Sequence, residues 1–84
     1  MTTTPSLLRW TFVRDGQALT CEISVNSSKS YDVSVVPHWD VSASAIEPFT
    51  GPANALRRHA ELAWSLRQAG WRLIREKAEQ ELGR

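Results

Sequence analysis

Apolar and polar residues alternate through the first part of the chain, and the period then changes. Leu8, Trp10 and Phe12 alternate with Arg9 and Thr11, a period of two that predicts a strand with one buried face. Asp15-Gly16 follows. This dipeptide suits a two-residue type I′ hairpin, whose central residues both take positive φ. With that loop, Arg14 faces Gln17, Phe12 faces Leu19, Trp10 faces Cys21 and Leu8 faces Ile23. All the apolar members then share one side, while Arg9 meets Glu22 and Thr11 meets Thr20 on the other. A slip of one residue would turn every apolar group to water, so this register is strongly specified.

Leu19, Cys21, Ile23 and Val25 lead into the polar stretch from Asn26 to Ser30, after which Tyr31, Val33 and Val35 alternate with Asp32 and Ser34. Pairing Val25 with Tyr31, Ile23 with Val33 and Cys21 with Val35 preserves the apolar face. The outcome is a three-stranded antiparallel meander over residues 7–36, preceded by a small polar lead-in over 1–6. Pro37, which lacks a ladder donor, ends it. Over the crossover 37–51, Trp39, Val41, Ala43 and Ala45 alternate with polar residues, which admits a short fourth strand around 41–46. An irregular path that tucks Trp39, Ile46 and Phe49 under a helix fits equally well.

Thr50-Gly51-Pro52 marks a helix start. From there Leu56, Ala60, Ala63, Leu66 and Gly70 recur at spacings of three and four, flanked by Leu62 and Leu73 on one side and by Trp64 and Trp71 on the other. His59 stands one step off this stripe. Arg57, Arg58, Glu61, Ser65, Gln68 and Arg72 share the opposite face. The expected fold is α+β, in the order β-β-β-α, with one face of the three-stranded or four-stranded meander covered by a long helix over 52–82. Gly70 admits two readings. It is either a left-handed C-cap followed by a short added strand holding Trp71, Leu73 and Arg75, or an interior glycine costing roughly 1 kcal/mol. The strongly helical residues from Glu76 to Glu81 favour the continuous or kinked helix.

Length and composition narrow the class. Eighty-four residues make one domain, 1–84, with a modest core. Cys21 is the only cysteine, so no disulfide supplements that core, and oligomerisation is the usual substitute. A lone cysteine fits a reducing, cytoplasmic setting. MTTTPSLLRW lacks the layout of a signal peptide, and no apolar run approaches the roughly 20 residues that span a bilayer. The net charge of +1 divides into −2 over residues 1–52 and +3 over 53–84. That one-sided basic helix region keeps nucleic acid in view.

Candidate chemistry is sparse. His38 and Asp40 place an imidazole and a carboxylate beside Pro37, a pair suited to general-base or ligand-binding work, but no nucleophile stands at a recognisable spacing from them. Cys21 falls on the buried side of a strand, and Cys21, His38 and His59 follow no metal-ligand spacing. No glycine loop or other cofactor signature occurs, so neither a metal nor a cofactor is expected. Trp64 and Trp71 fall on nearly one line of a continuous helix, and Arg67 and Arg75 stand four residues from Trp71, within stacking reach. On that helix Glu61, Glu76 and Glu79 would answer Arg57, Arg72 and Arg75.

Three functions follow from these patterns. The leading expectation is a small non-enzymatic protein-interaction module, self-associating as a homodimer through Trp64, Arg67, Trp71 and Arg75. The alternative is nucleic-acid binding through Arg57, Arg58, Arg72 and Arg75. The second alternative is a ligand binder or small enzyme using His38 and Asp40. No membrane partner is expected.

Overall fold

The computed structural model describes residues 6–26 and 30–78, with residues 76–78 described by their backbone alone. The fold is α+β: five antiparallel strands in one sheet and one helix. The strands are β1 (Ser6–Arg14), β2 (Gln17–Val25), β3 (Ser30–Pro37), β4 (Ala45–Thr50) and β5 (Arg72–Ala78), and the helix α1 (Pro52–Gln68) lies between the last two. The sheet order is β4-β3-β2-β1-β5, so the chain lays down four neighbouring strands and then returns over the sheet to pair its last strand with its first.

The meander has the register that the side-chain pattern demands. Arg14 faces Gln17, Phe12 faces Leu19, Trp10 faces Cys21 and Leu8 faces Ile23. Val25 faces Tyr31, Ile23 faces Val33 and Cys21 faces Val35. Asp15 and Gly16 take φ of 52° and 80°, as the primed turn requires. On the outer face Arg9 Nη2 donates to Glu22 Oε2 at 3.2 Å, and the Thr11 and Thr20 hydroxyls lie 3.2 Å apart.

The expected three or four strands become five. The fourth strand lies at 45–50, further along than the 41–46 its alternation suggested, after a 3-10 turn at Val41–Ala43. Of the residues offered to the crossover's interior, Phe49 packs against the core, whereas Trp39 and Ile46 are largely exposed. The fifth strand exists because the helix stops at Gln68 and does not run to 82. Gly70 takes φ 96°, and its N–H donates to the Arg67 carbonyl at 3.1 Å. The Trp71 N–H reaches back to the Leu66 carbonyl at 2.9 Å, which completes a Schellman cap. Arg14 Nη1 adds a 2.7 Å bond to the Ala69 carbonyl. The helical preference of residues 76–81 amounts to tenths of a kcal/mol each. Against it stand the burial of the Trp71 ring, worth about 2 kcal/mol or more, and a partner for the otherwise open edge of β1.

The buried line of α1 also differs from the expected stripe. Ala55, His59 and Ala63 are buried, with Leu62 and Leu66 half-buried, whereas Leu56 and Ala60 are exposed. The stripe is turned by one residue, so His59, one step off the expected stripe, is only 2% exposed. Two clusters form the core. Phe12, Leu19, Cys21, Ala63 and Trp71 make one, and Ile23, Val33 and Ala55 make the other, with Leu62 packed against both. Among the described residues no helix is long and apolar enough to cross a membrane.

Candidate functional site

Three groups of chemistry-bearing side chains stand out, and the fold separates them. The first is the flank of α1. Arg58 reaches β4, where its Nε donates to Glu47 Oε1 at 2.8 Å while its Nη1 meets Glu61 at 3.3 Å. That side of the helix therefore faces β4. Leu56 and Arg67 lie on the other side, where the Arg67 guanidinium sits 5.9 Å from the centre of the Trp10 ring of β1, and Ala60 and Trp64 continue from them onto the side of the helix away from the sheet. Leu56 is 51% exposed and Trp64 is 65% exposed. A shallow groove of about 530 Å³ beside Trp64 is lined by Arg57, Arg58, Ala60, Glu61 and Ser65.

The second group closes the end of the core at the helix C-terminus. Trp71 is buried, and Trp39 stacks on it with ring centres 6.1 Å apart and planes 14° from parallel. Arg14 lies over the Trp71 ring at 5.0 Å. Arg14 thus takes the stacking role that helical spacing assigned to Arg67 and Arg75. Because β5 replaces the last helical turns, Trp71 no longer shares a line with Trp64, and Arg75 belongs to the sheet.

The third group lies on the face of the sheet away from α1. Pro37 is buried, and the His38 N–H continues the ladder to the Ala18 carbonyl at 2.9 Å, which turns the His38 ring outward. His38 Nε2 meets Thr20 Oγ1 at 2.7 Å. Arg9, Thr11, Thr20, Glu22, Val36, His38 and Arg75 surround a depression of about 410 Å³. Asp40 takes no part in it: Ser42 Oγ donates to Asp40 Oδ1 at 2.6 Å, at the start of the 3-10 turn. His38 and Asp40 are therefore not brought together.

The four arginines considered for nucleic acid do not share a surface. Arg57 and Arg58 are on α1, whereas Arg72 faces Val13 and Arg75 faces Thr11 on the opposite side of the sheet. The helical pairing expected for Arg57 goes instead to Arg58, which holds both Glu61 and Glu47. Arg72 lies on β5, whose extended backbone replaces the helical spacing on which its expected pairing with Glu76 rested, and Glu79 lies outside the described residues.

Cys21 and His59 are interior groups. Burial pushes the Cys21 thiol up to about 11, which leaves it protonated and unreactive at neutral pH. His59 Nε2 lies 3.2 Å from the Cys21 carbonyl, and its ring meets Trp10 edge-on at 5.1 Å. Burial lowers the His59 pKa, and the bond to the Cys21 carbonyl opposes that only in part. A neutral ring whose Nε2–H donates to the carbonyl is the state this environment supports. Among the described residues no three His, Cys, Asp or Glu side chains converge as a metal site would require. The burial of His59 is not legible as a helix-stripe signal, because histidine is a polar residue; its spacing of four from Ala55 and Ala63 is the clue that points to it.

No protein-family model matches the chain. No curated protein and no solved structure matches it significantly.

Proposed function

We propose that this protein is a small non-enzymatic interaction module that self-associates through the flank of α1. The observation that carries this reading is the exposed apolar line Leu56, Ala60 and Trp64, which runs along α1 outside its buried line of Ala55, His59 and Ala63. A helix about 10 Å wide covers roughly two strands of a sheet whose strands lie about 4.8 Å apart. Five strands are more than α1 can cover, and the inward residues Leu8, Trp10 and Leu73 are only half-buried.

A second copy fits this surface. In an antiparallel helix pair centred on Ala60, the small alanine admits close approach and Leu56 of each copy meets Trp64 of the other. The same arrangement sets Arg57 beside the partner's Glu61. Arg57 has no ion pair among the described residues, so the partner's carboxylate would answer an unmatched charge. A core this small, with no disulfide, gains from such burial.

Sedimentation equilibrium across the micromolar range tests the reading. The expected result is a monomer–dimer equilibrium that Trp64→Ala weakens by about tenfold or more. Arg57→Glu weakens it, and adding Glu61→Arg restores it. A chain that stays monomeric at every concentration, or a dimer indifferent to Trp64→Ala, overturns the proposal.

A further inference from the structure

The open face of the sheet is separate from the helix flank, and it holds a depression in which donors from several strands converge. Arg9 and Thr11 come from β1, Thr20 from β2, His38 from the end of β3 and Arg75 from β5. A break in regular pairing puts Arg75 there. Leu73 faces Phe12 and points inward, and unbroken alternation would send Arg75 inward too. The register instead shifts between Phe12 and Thr11, with Ile74 as the extra residue, so that Arg75 faces Thr11 on the outer side. Bulges that re-aim a side chain recur beside functional sites.

We infer that this depression binds a phosphoryl group. The charges favour an anion. Glu22, the one acid lining the depression, is engaged by Arg9, and Arg75 has no ion pair among the described residues. The shape of the donor set favours phosphate over carboxylate. Two guanidinium groups and a chain of hydroxyls approach from different strands, which suits oxygens pointing in several directions better than the two coplanar oxygens of a carboxylate. The His38–Thr20–Thr11 chain supplies a further donor. With the proton on His38 Nε2, the ring donates to Thr20 Oγ1 across 2.7 Å. Thr20 then donates to Thr11 across 3.2 Å, and the Thr11 hydrogen is left free for the ligand. No Phe, Tyr or Trp lines the depression, so its recognition is carried by the charged and hydroxyl groups that would meet the phosphate.

A phosphoryl group reaches the site either on a small phosphorylated compound or in the backbone of a single-stranded nucleic acid. Titrating the isotope-labelled chain with inorganic phosphate, and separately with a short thymidine oligonucleotide at low salt, distinguishes the two. The expected result is saturable movement of the Thr11, Thr20 and His38 amides and of the Arg9 and Arg75 side-chain N–H signals. Movement with free phosphate assigns a small ligand, and movement with the oligonucleotide alone assigns a phosphodiester chain. Arg75→Ala, an exposed edge-strand change, raises the Kd about tenfold or more. Thr11→Val keeps the side-chain shape and weakens binding to a lesser degree, and Arg57→Ala leaves it unaltered. No saturable movement in either titration overturns the inference. So does movement that chloride reproduces at equal ionic strength, or a Kd unaffected by Arg75→Ala.

Discussion

His59 concentrates the pH response of the core. Burial lowers its folded-state pKa below the unfolded value of about 6.5, so the unfolded chain takes up the proton first. Its contribution is fully present above about pH 6.5, and stability declines as the pH falls through and below that value, by up to about 1.4 kcal/mol per pH unit. Urea unfolding between neutral and acidic pH checks this, with His59→Leu as the reference: that variant should show a flatter acid limb than the parent chain. Gly70 is the second residue with a defined cost. At φ 96° an alanine would meet only Arg14 Cδ at 3.5 Å, an ordinary contact, so the penalty is conformational. Gly70→Ala should cost about 1–2 kcal/mol in chemical denaturation, and Gly70→Asn less, because asparagine tolerates the left-handed region. Trp71→Ala removes the ring that joins Phe12, Leu19 and Ala63, and should cost about 3–5 kcal/mol.

The strands differ in how they are held. β1 is paired on both sides, with β2 and β5, whereas β4 is an edge strand whose residues are mostly exposed. Pro48 within β4 withholds a backbone donor from any incoming strand and so guards that edge against further pairing. Native-state amide exchange should therefore be slowest in β1 and β2 and fastest in β4. If β4 amides were as protected as those of β1, this ranking would be wrong. The meander was fully legible in the sequence, because a two-residue turn and period-two alternation between near neighbours specify one register. β4 was only half legible: its alternation was visible, but the 3-10 turn that displaces it by several residues has no apolar pattern of its own. The helix start was likewise written in Thr50-Gly51-Pro52, where Gly51 takes φ 90° and Pro52 the first helical position.

At the scale of the whole molecule, the sheet has two unlike faces and each suggests its own partner. The inner face packs under α1, whose exposed side, in our proposal, meets a second copy. The outer face is polar and gathers Arg9, Arg75, Thr11, Thr20 and His38. These surfaces lie on opposite sides of the sheet, so their substitutions should act independently. Trp64→Ala should weaken self-association while leaving folding stability within about 0.5 kcal/mol, as expected for an exposed side chain, and should leave the outer-face depression unaltered.

Local sequence alone determined the hairpin at Asp15-Gly16, the meander register, the apolar face of its strands and the start of the helix. Each depends on residues close in the chain, whose turn chemistry and alternation admit one answer. Tertiary structure decided which line of the helix faces inward, where the helix ends and which face receives Arg75. Those outcomes depend on distant partners. Phe12 and Leu19 bury Trp71, the Cys21 carbonyl engages His59, and the open edge of β1 draws residues 72–78 out of their helical preference and into a fifth strand.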